Sequence, residues 1–411
     1  MSMDSLPTLP PEVISAPLID SLPTLPPEAI SAPLIDSLPT LPPEAISAIC
    51  SYWGIENDSS LLFYTEIRTL EQSDICIISH RYNTEYKKVF CKQASIERLK
   101  KIFTKSNEGW QISFESFLNE QRILSSVLDF ETISSPRCIF TSQAPVQYLE
   151  SHTFTTLSEY INIKDHIEYR NFTRSQVKLA LSWLSIFHKK YWNINIESTL
   201  TCGGWWRKSL RPTVDYNSIP EVFCQLCKLL PQFVCLDTIE NHSLMNILTR
   251  NIDILHNLCS FTPFKTLLHG DFKPSNIFFK ANGSVVAIDY QWSGLGNGVA
   301  DVAYLLVGGV CYEDLDEETL LDYYYTELTK DSSIVGYTQT QFRLDFDREL
   351  LAYFSTALPY LLKGLTPELC VENAKKYGWL THEEDERVTM WLTTRALKAI
   401  QRLLDTGLIT A

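Results

Sequence analysis

Between Gly54 and Gly109 the chain has no glycine at all. Over that whole stretch no bare backbone is on offer for close approach to a phosphate. Nor does any run approach the ~18 consecutive apolar residues that a membrane-spanning helix needs. Positive charge is in deficit: 35 Lys and Arg stand against 49 Asp and Glu, a net charge of −14. That balance disfavours nucleic acid or an anionic membrane surface as a partner. It is compatible with a cationic or neutral substrate, and equally with a plain solubility role. The 11 cysteines include a single C-x-x-C, Cys224 and Cys227. No second pair or Cys/His cluster completes a zinc site around it, so its helical spacing predicts buried thiols. An odd count without a signal-peptide pattern leads us to expect a reducing cytosol. What is present is ample apolar material: 411 residues, 45% hydrophobic and 12% aromatic, enough for two packed lobes or domains.

Proline is unevenly spread, with eleven of the 20 in the first 48 residues. They belong to a 16-residue repeat, in which Ser5–Asp20 and Ser21–Asp36 differ only at Val13 and Ala29 and Ser37–Ala48 begins a third copy. So Pro-rich a period does not match a solenoid unit, and too few copies are present to stack a core. Pro17 and Pro33 stop a helix in the first two copies. The third runs on to place Ile46, Ile49, Cys50 and Trp53 on one helical face, with Pro43 and Glu44 in the first turn. It is therefore expected to open the folded region, the earlier copies forming a disordered tail over residues 1–41.

The most informative stretch is 268–289. It carries His269-Gly270-Asp271, then Asn276, then a hairpin that runs out at Asp289. Asn282-Gly283 predicts a two-residue type I′ turn, which sets Asn276 opposite Asp289 with Cβ atoms about 4.5–5.5 Å apart. An amide oxygen and a carboxylate at that spacing suit a hard cation such as Mg²⁺. Asp271, outside the hairpin, is left to orient a hydroxyl.

These residues, with Ile288-Asp289-Tyr290-Gln291-Trp292 and Asp301-Val302-Ala303-Tyr304 downstream, resemble the catalytic core of the aminoglycoside phosphotransferase and choline kinase superfamily. The nearest flavour is the ecdysteroid-kinase-like (CHK-type) small-molecule kinases. The resemblance implies an α+β, protein-kinase-like two-lobed fold, with a small β-rich N-lobe over residues 42–150 and a larger, mainly helical C-lobe over 151–411. It implies ATP and Mg²⁺ as cofactors and a hydroxyl-bearing small molecule as acceptor, an alcohol-group phosphotransferase reaction. Asp271 is then the catalytic base, and Asn276 and Asp289 hold metal on the nucleotide phosphates. Lys92 resembles the lysine that pairs with those phosphates, with Lys87 and Lys88 in competing registers. Glu120 resembles its glutamate partner, with Glu115 as competitor. Lys273 is read as touching the transferring phosphate or as a solvated loop lysine. Asp301 braces the loop, and His269 and His188 pack. Val146–Glu150 resembles the hinge that meets the adenine.

The family carries a glycine-bearing loop where this chain has none, so Ser73-Asp74 or the Tyr82-Asn83-Thr84 turn is expected to cover the nucleotide. Thr173–Gln176 reads as a capping box opening the second lobe. Helical patterns dominate 313–330, 341–363 and 383–405. Tyr323, Tyr324, Tyr325, Trp379 and Trp391 are candidates for the acceptor wall, weighed against core packing. Two other readings remain. A catalytically silent kinase-like nucleotide-binding protein is motivated by the missing glycines. A protein kinase is disfavoured, because only eleven residues separate Asp289 from Asp301, too few for an activation segment, and Tyr290-Gln291 replaces the expected Phe-Gly.

Overall fold

The third repeat copy does enter the fold. Helix α1, Pro43–Trp53, starts on its proline with Glu44 in the first turn and ends at Gly54, whose φ of 64° caps it. Its inner face is Ala45, Ile49, Cys50 and Trp53; Ile46, expected inside, is half-buried and Ala45 takes its place. In this computed structural model the described residues are 41–69, 72–102, 107–142, 153–162, 166–168, 171–195, 203–331, 334–362 and 383–411. The first two repeat copies, the hinge-like segment Val146–Glu150 and Trp379 lie outside them. By internal contacts the chain divides into two units between Thr40 and Leu41, and every described residue belongs to the second.

Within that unit a five-stranded antiparallel sheet runs in the order β1-β2-β3-β5-β4. Its strands are β1 (Phe63–Thr69), β2 (Asp74–Tyr82), β3 (Glu85–Ser95), β4 (Cys138–Thr141) and β5 (Thr153–Glu159). Since β5 pairs with both β3 and β4, the first lobe continues to Glu159. That corrects the boundary expected at residue 150: an antiparallel sheet closes only when its last paired strand is counted. One sheet face packs on α1, through Ala45, Ile49 and Trp53 against Cys76, Ile78, Val89, Cys91 and Leu157. The other face packs on α2 (Ile96–Ile102) and α3 (Asn107–Arg122), through Ala94, Ile96, Leu99, Phe114, Phe117 and Phe154.

The second lobe is mainly helical. Helix α4, Arg174–Lys190, opens on the expected capping box, Thr173 N donating to Gln176 Oε1 at 2.8 Å. There follow α5 (Ile219–Leu229), α6 (Ile239–Arg250), α7 (Ile252–Ser260), α8 (Val299–Gly309), α9 (Glu317–Thr329), α10 (Gln339–Leu362) and α11 (Glu383–Asp405). Two small sheets are built from the strands between α7 and α8 and one earlier strand: β7 (Thr266–Leu268) pairs β10 (Gly294–Gly296), and β6 (His166–Glu168), which precedes α4, pairs β8 (Ile277–Lys280), which pairs β9 (Val285–Ala287). A two-lobed α+β fold of protein-kinase-like form results. Among the described residues no helix is long and apolar enough to cross a membrane, and no cluster of His, Cys, Asp and Glu is built to hold a metal by itself.

Candidate active site

Strand parity selects the lysine. Side chains alternate along β3, so Val89 and Cys91 face α1 while Ala94 faces α3. Lys92 shares the parity of Ala94 and so points at α3. Lys87 has the other parity, and its Nζ donates to the Trp53 carbonyl at 2.8 Å. Lys88 has the right parity but sits four residues, about 13 Å, further along the strand, over the Tyr160 ring at 5.0 Å. Lys92 Nζ instead lies 2.9 Å from Glu120 Oε2 and 3.0 Å from Asp289 Oδ1, and donates to Gln291 Oε1 at 3.1 Å. Glu120, rather than Glu115, is thus the partner, on the same side of α3 as Phe117 one turn before it. Burial works against the Lys92 charge, yet Asp289 and Glu120 outweigh it and raise its pKa. Burial also pushes the Glu120 carboxyl up, against the pull of Lys92.

The Asn276–Asp289 register needs a correction. Ile277 pairs Ala287, Phe278 pairs Val286 and Phe279 pairs Val285, while Lys280 N donates to Ser284 O at 2.8 Å. The loop is therefore three residues, Ala281-Asn282-Gly283, with Gly283 left-handed at φ 81°, the turn class that ends on a glycine bulge. One extra loop residue moves the ladder by one, and Asn276 faces Ile288, whose N–H reaches the Asn276 carbonyl at 3.0 Å. Asp289 comes to Lys92 by another route. Its own backbone turns left-handed, at φ 67°, a conformation that costs a non-glycine residue about 1–3 kcal/mol. Burial raises its carboxyl pKa, but Lys92 and then Lys273 outweigh that, and the net shift is downward.

Asp271 is buried, and both its oxygens are engaged. Oδ2 accepts from Lys273 Nζ at 2.9 Å and from Asn276 Nδ2 at 3.0 Å, and Oδ1 accepts from Tyr304 OH at 3.1 Å. Burial still holds its carboxyl above the ordinary carboxylate range, against the pull of Lys273. The loop beneath it is braced as expected: Asp301, in the first turn of α8, accepts from His269 N at 2.7 Å and Gly270 N at 2.9 Å. His188 Nε2 lies 3.1 Å from the same carboxylate and its Nδ1 2.7 Å from Tyr324 OH. A carboxylate only accepts, so Nε2 carries a proton and donates to it. His269 packs, its Nε2 3.0 Å from the Ile288 carbonyl.

The missing glycines leave one phosphate-side turn. Tyr82-Asn83-Thr84 closes the far end of the β2–β3 ladder, about 23 Å of strand from Lys92. Ile75 pairs with Lys92 itself, so the connection ending in Ser73-Asp74 is the one at its end of the sheet.

Several acceptor-wall candidates are packed elsewhere. Tyr324 is bonded to His188, Tyr323 OH lies 2.7 Å from Ser182 Oγ, and Tyr325 OH donates to Tyr337 O at 2.8 Å. Trp391 packs on the main core. The aromatics beside Asp271 are Tyr304, Trp205 and Tyr353, with Trp205–Tyr304 centroids 6.2 Å apart and Trp205–Tyr353 5.9 Å apart. Tyr304 carried a signal: three residues after Asp301, it shares a face of α8 with the loop brace. Trp205 carried none, since only the fold brings it to the loop, its N–H reaching Gly270 O at 3.4 Å.

No curated protein matches the chain by sequence. Among solved structures it is similar to a choline kinase from Cryptosporidium parvum Iowa II, at 12% identity and TM-score 0.45 over 89% of this chain and 97% of that one. It is similar to a choline kinase from Streptococcus pneumoniae at 12% identity and TM-score 0.41, over 87% and 99%. A microcompartment-associated aminopropanol kinase gives 11% identity and TM-score 0.45, over 89% and 99%. Likenesses of this size carry no argument about what this chain acts on. The family comparison bears directly on the catalytic loop and agrees with the superfamily its residues resemble: residues 216–337 match the ecdysteroid kinase-like family.

Proposed function

We propose that this protein is an ATP-dependent kinase that transfers a phosphoryl group to a hydroxyl of a small molecule. One observation carries the reading. Lys92, from the first lobe, sits within 3.0 Å of both Glu120 and Asp289, while Asp271 is held by Asn276 and Lys273. The donor set fits Mg·ATP. Asn276 turns its Nδ2 to Asp271, which leaves its Oδ1 as a hard oxygen donor, and Asp289 supplies a carboxylate. Mg²⁺ is commonly held by only one or two carboxylates together with substrate phosphates and water, so two protein ligands are enough. When bound, Mg·ATP supplies the transferable phosphoryl group and a cation that offsets its charge.

The chain's own residues account for the rest. Lys92 and Lys273 place ammonium groups at the phosphate side, and burial strengthens the effect of Lys92 by removing water. Asp271 accepts the proton of the acceptor hydroxyl and fixes its direction. Tyr304 and Asn276 hold that carboxylate in one orientation, which is the larger part of what phosphoryl transfer asks of a protein. The first lobe, residues 42 to Glu159, is assigned to the nucleotide, and the remainder to the catalytic loop and acceptor.

The absence of glycine between Gly54 and Gly109 favours a second reading, a silent kinase-like nucleotide binder. Calorimetry with ATP, with and without Mg²⁺, tests the first step, and saturable Mg²⁺-dependent binding is expected. ATP consumption across hydroxylated metabolites and amines then separates the two readings. Binding without turnover on any acceptor selects the silent binder, and no binding removes both.

A further inference from the structure

Among the described residues, Arg211 makes no ion pair with a carboxylate. It follows the short turn Lys208–Leu210, and its guanidinium lies over three rings: 5.3 Å from the centroid of Trp205, 4.8 Å from Trp292 and 5.5 Å from Tyr360. Nη1 donates to the Leu210 carbonyl at 2.8 Å. Nε is buried and has no hydrogen-bond partner among the described residues. One helical turn earlier in sequence, Arg207 shows what a satisfied arginine looks like here: Nη1 and Nη2 bond Glu349 at 2.7 and 3.2 Å, and Nε bonds the Gly203 carbonyl at 2.8 Å. Burying a guanidinium without an anion is costly. Burial indeed works against the Arg211 charge, with only tyrosines and Asp271 favouring it.

Its place gives this cost a meaning. Trp205, stacked under Arg211, meets Tyr304, and Tyr304 donates to Asp271. Trp292 directly follows Gln291, which holds Lys92. Arg211 therefore stands beside the reacting centre, on its aromatic side, while Lys92 and Lys273 stand on the phosphate side. We propose that Arg211 is the acceptor-binding residue of the site, and that the hydroxyl compound phosphorylated carries an oxyanion, a carboxylate, sulfate or phosphate, that pairs with its guanidinium. This rests on the kinase reading above and deepens it. The seat among Trp205, Trp292 and Tyr360 that would hold an ammonium group is already filled by Arg211, so an amine acceptor meets an occupied site and a like charge. An oxyanion meets a planar guanidinium, the geometry that arginine offers to carboxylates.

The test uses the full chain with Mg·ATP and acceptors matched in shape and differing in charge: 4-(hydroxymethyl)benzoate, 4-(hydroxymethyl)benzamide and 4-(hydroxymethyl)benzylamine, together with a larger hydroxyl library sorted by charge. Anionic acceptors are expected to show kcat/KM at least about tenfold above their neutral and cationic counterparts, the scale of one charge-assisted hydrogen bond. In Arg211→Gln the KM for the anionic acceptor should rise about tenfold or more while the KM for ATP stays within about twofold, and Arg211→Lys should recover part of the loss. An unchanged melting temperature in both variants confirms that the fold is intact. Transfer to amines in preference to anions, no transfer to any anionic member, or a rise in ATP KM equal to that for the acceptor overturns the proposal. Failure of the kinase reading looks different: no Mg²⁺-dependent ATP binding at all, or binding with no transfer to any acceptor of whatever charge.

Discussion

At the scale of single residues, Asp271 is buried and Asp289 partly exposed; both carboxylates lie close to lysines, yet their pKa values move in opposite directions. Burial wins at Asp271 and raises it, while Lys92 and Lys273 win at Asp289 and lower it. The consequences for stability have opposite signs. A raised native pKa means that the Asp271 contribution is present at low pH and lost as pH rises through the native value, so its charge is a cost at neutral pH. A lowered native pKa means that Asp289 stabilises at neutral pH and loses that contribution as pH falls through its native value. Asp271→Asn is therefore expected to melt no lower than wild type at neutral pH while losing about 10²–10⁴-fold in turnover, the range of a general base, with calorimetric Mg·ATP binding retained. Asp289→Asn should melt lower at neutral pH and lose Mg²⁺-dependent ATP binding, since Lys92 then keeps Glu120 as its one charged partner among the described residues. Wild-type kcat/KM should fall on the acid side through a pKa above the ordinary carboxylate range, as Asp271 takes up its proton. Equal behaviour of the two variants in melting and in ATP calorimetry would refute this assignment.

At the scale of elements, the catalytic loop is set by one glycine and one carboxylate. Gly270 has φ 80°, and a Cβ there would stand 1.9 Å from the Trp292 carbonyl oxygen, while its N–H is bonded to Asp301. Gly270→Ala thus adds a left-handed strain of about 1–3 kcal/mol to a backbone collision, and should lower the melting temperature by several degrees and abolish transfer. A variant with unchanged melting and activity would show that the Trp292 backbone gives way. Much at this scale was readable in the sequence because it is local: the capping box at Thr173, the three C-terminal helices, and the alternation that puts Lys92 on the α3 side of its strand. The hairpin register was not, because Asn-Gly serves two loop lengths, and one glycine bulge shifts every pair by one. Nor was Arg211, whose meaning depends on Trp292 and Tyr360, neighbours that only the fold supplies.

At the scale of the whole molecule, every residue of the site lies in the unit Leu41–Ala411, and that unit begins with a helix it needs. The α1 face formed by Ala45, Ile49 and Trp53 covers Val89 and Cys91, and Cys91 is the residue next to Lys92 on β3. Trp53 also stacks on His80 of β2, with ring centroids 5.9 Å apart. The third copy of the repeat thus supplies a wall of the first lobe. A chain starting at Leu41 is expected to melt within about a degree of the full chain and to bind Mg·ATP equally well. A chain starting at Ile55 exposes the α1 face of the sheet. Burial of three or four apolar side chains at about 1.5–3 kcal/mol each is lost with it, a large share of the ~5–15 kcal/mol that holds a protein folded. The shorter chain should therefore unfold its first lobe, and Lys92 would no longer be held against Glu120. Thermal melts and ATP calorimetry on the two truncations, side by side, read this directly. If the shorter chain keeps nucleotide binding, α1 is an ornament on the sheet and not part of what holds Lys92 in place.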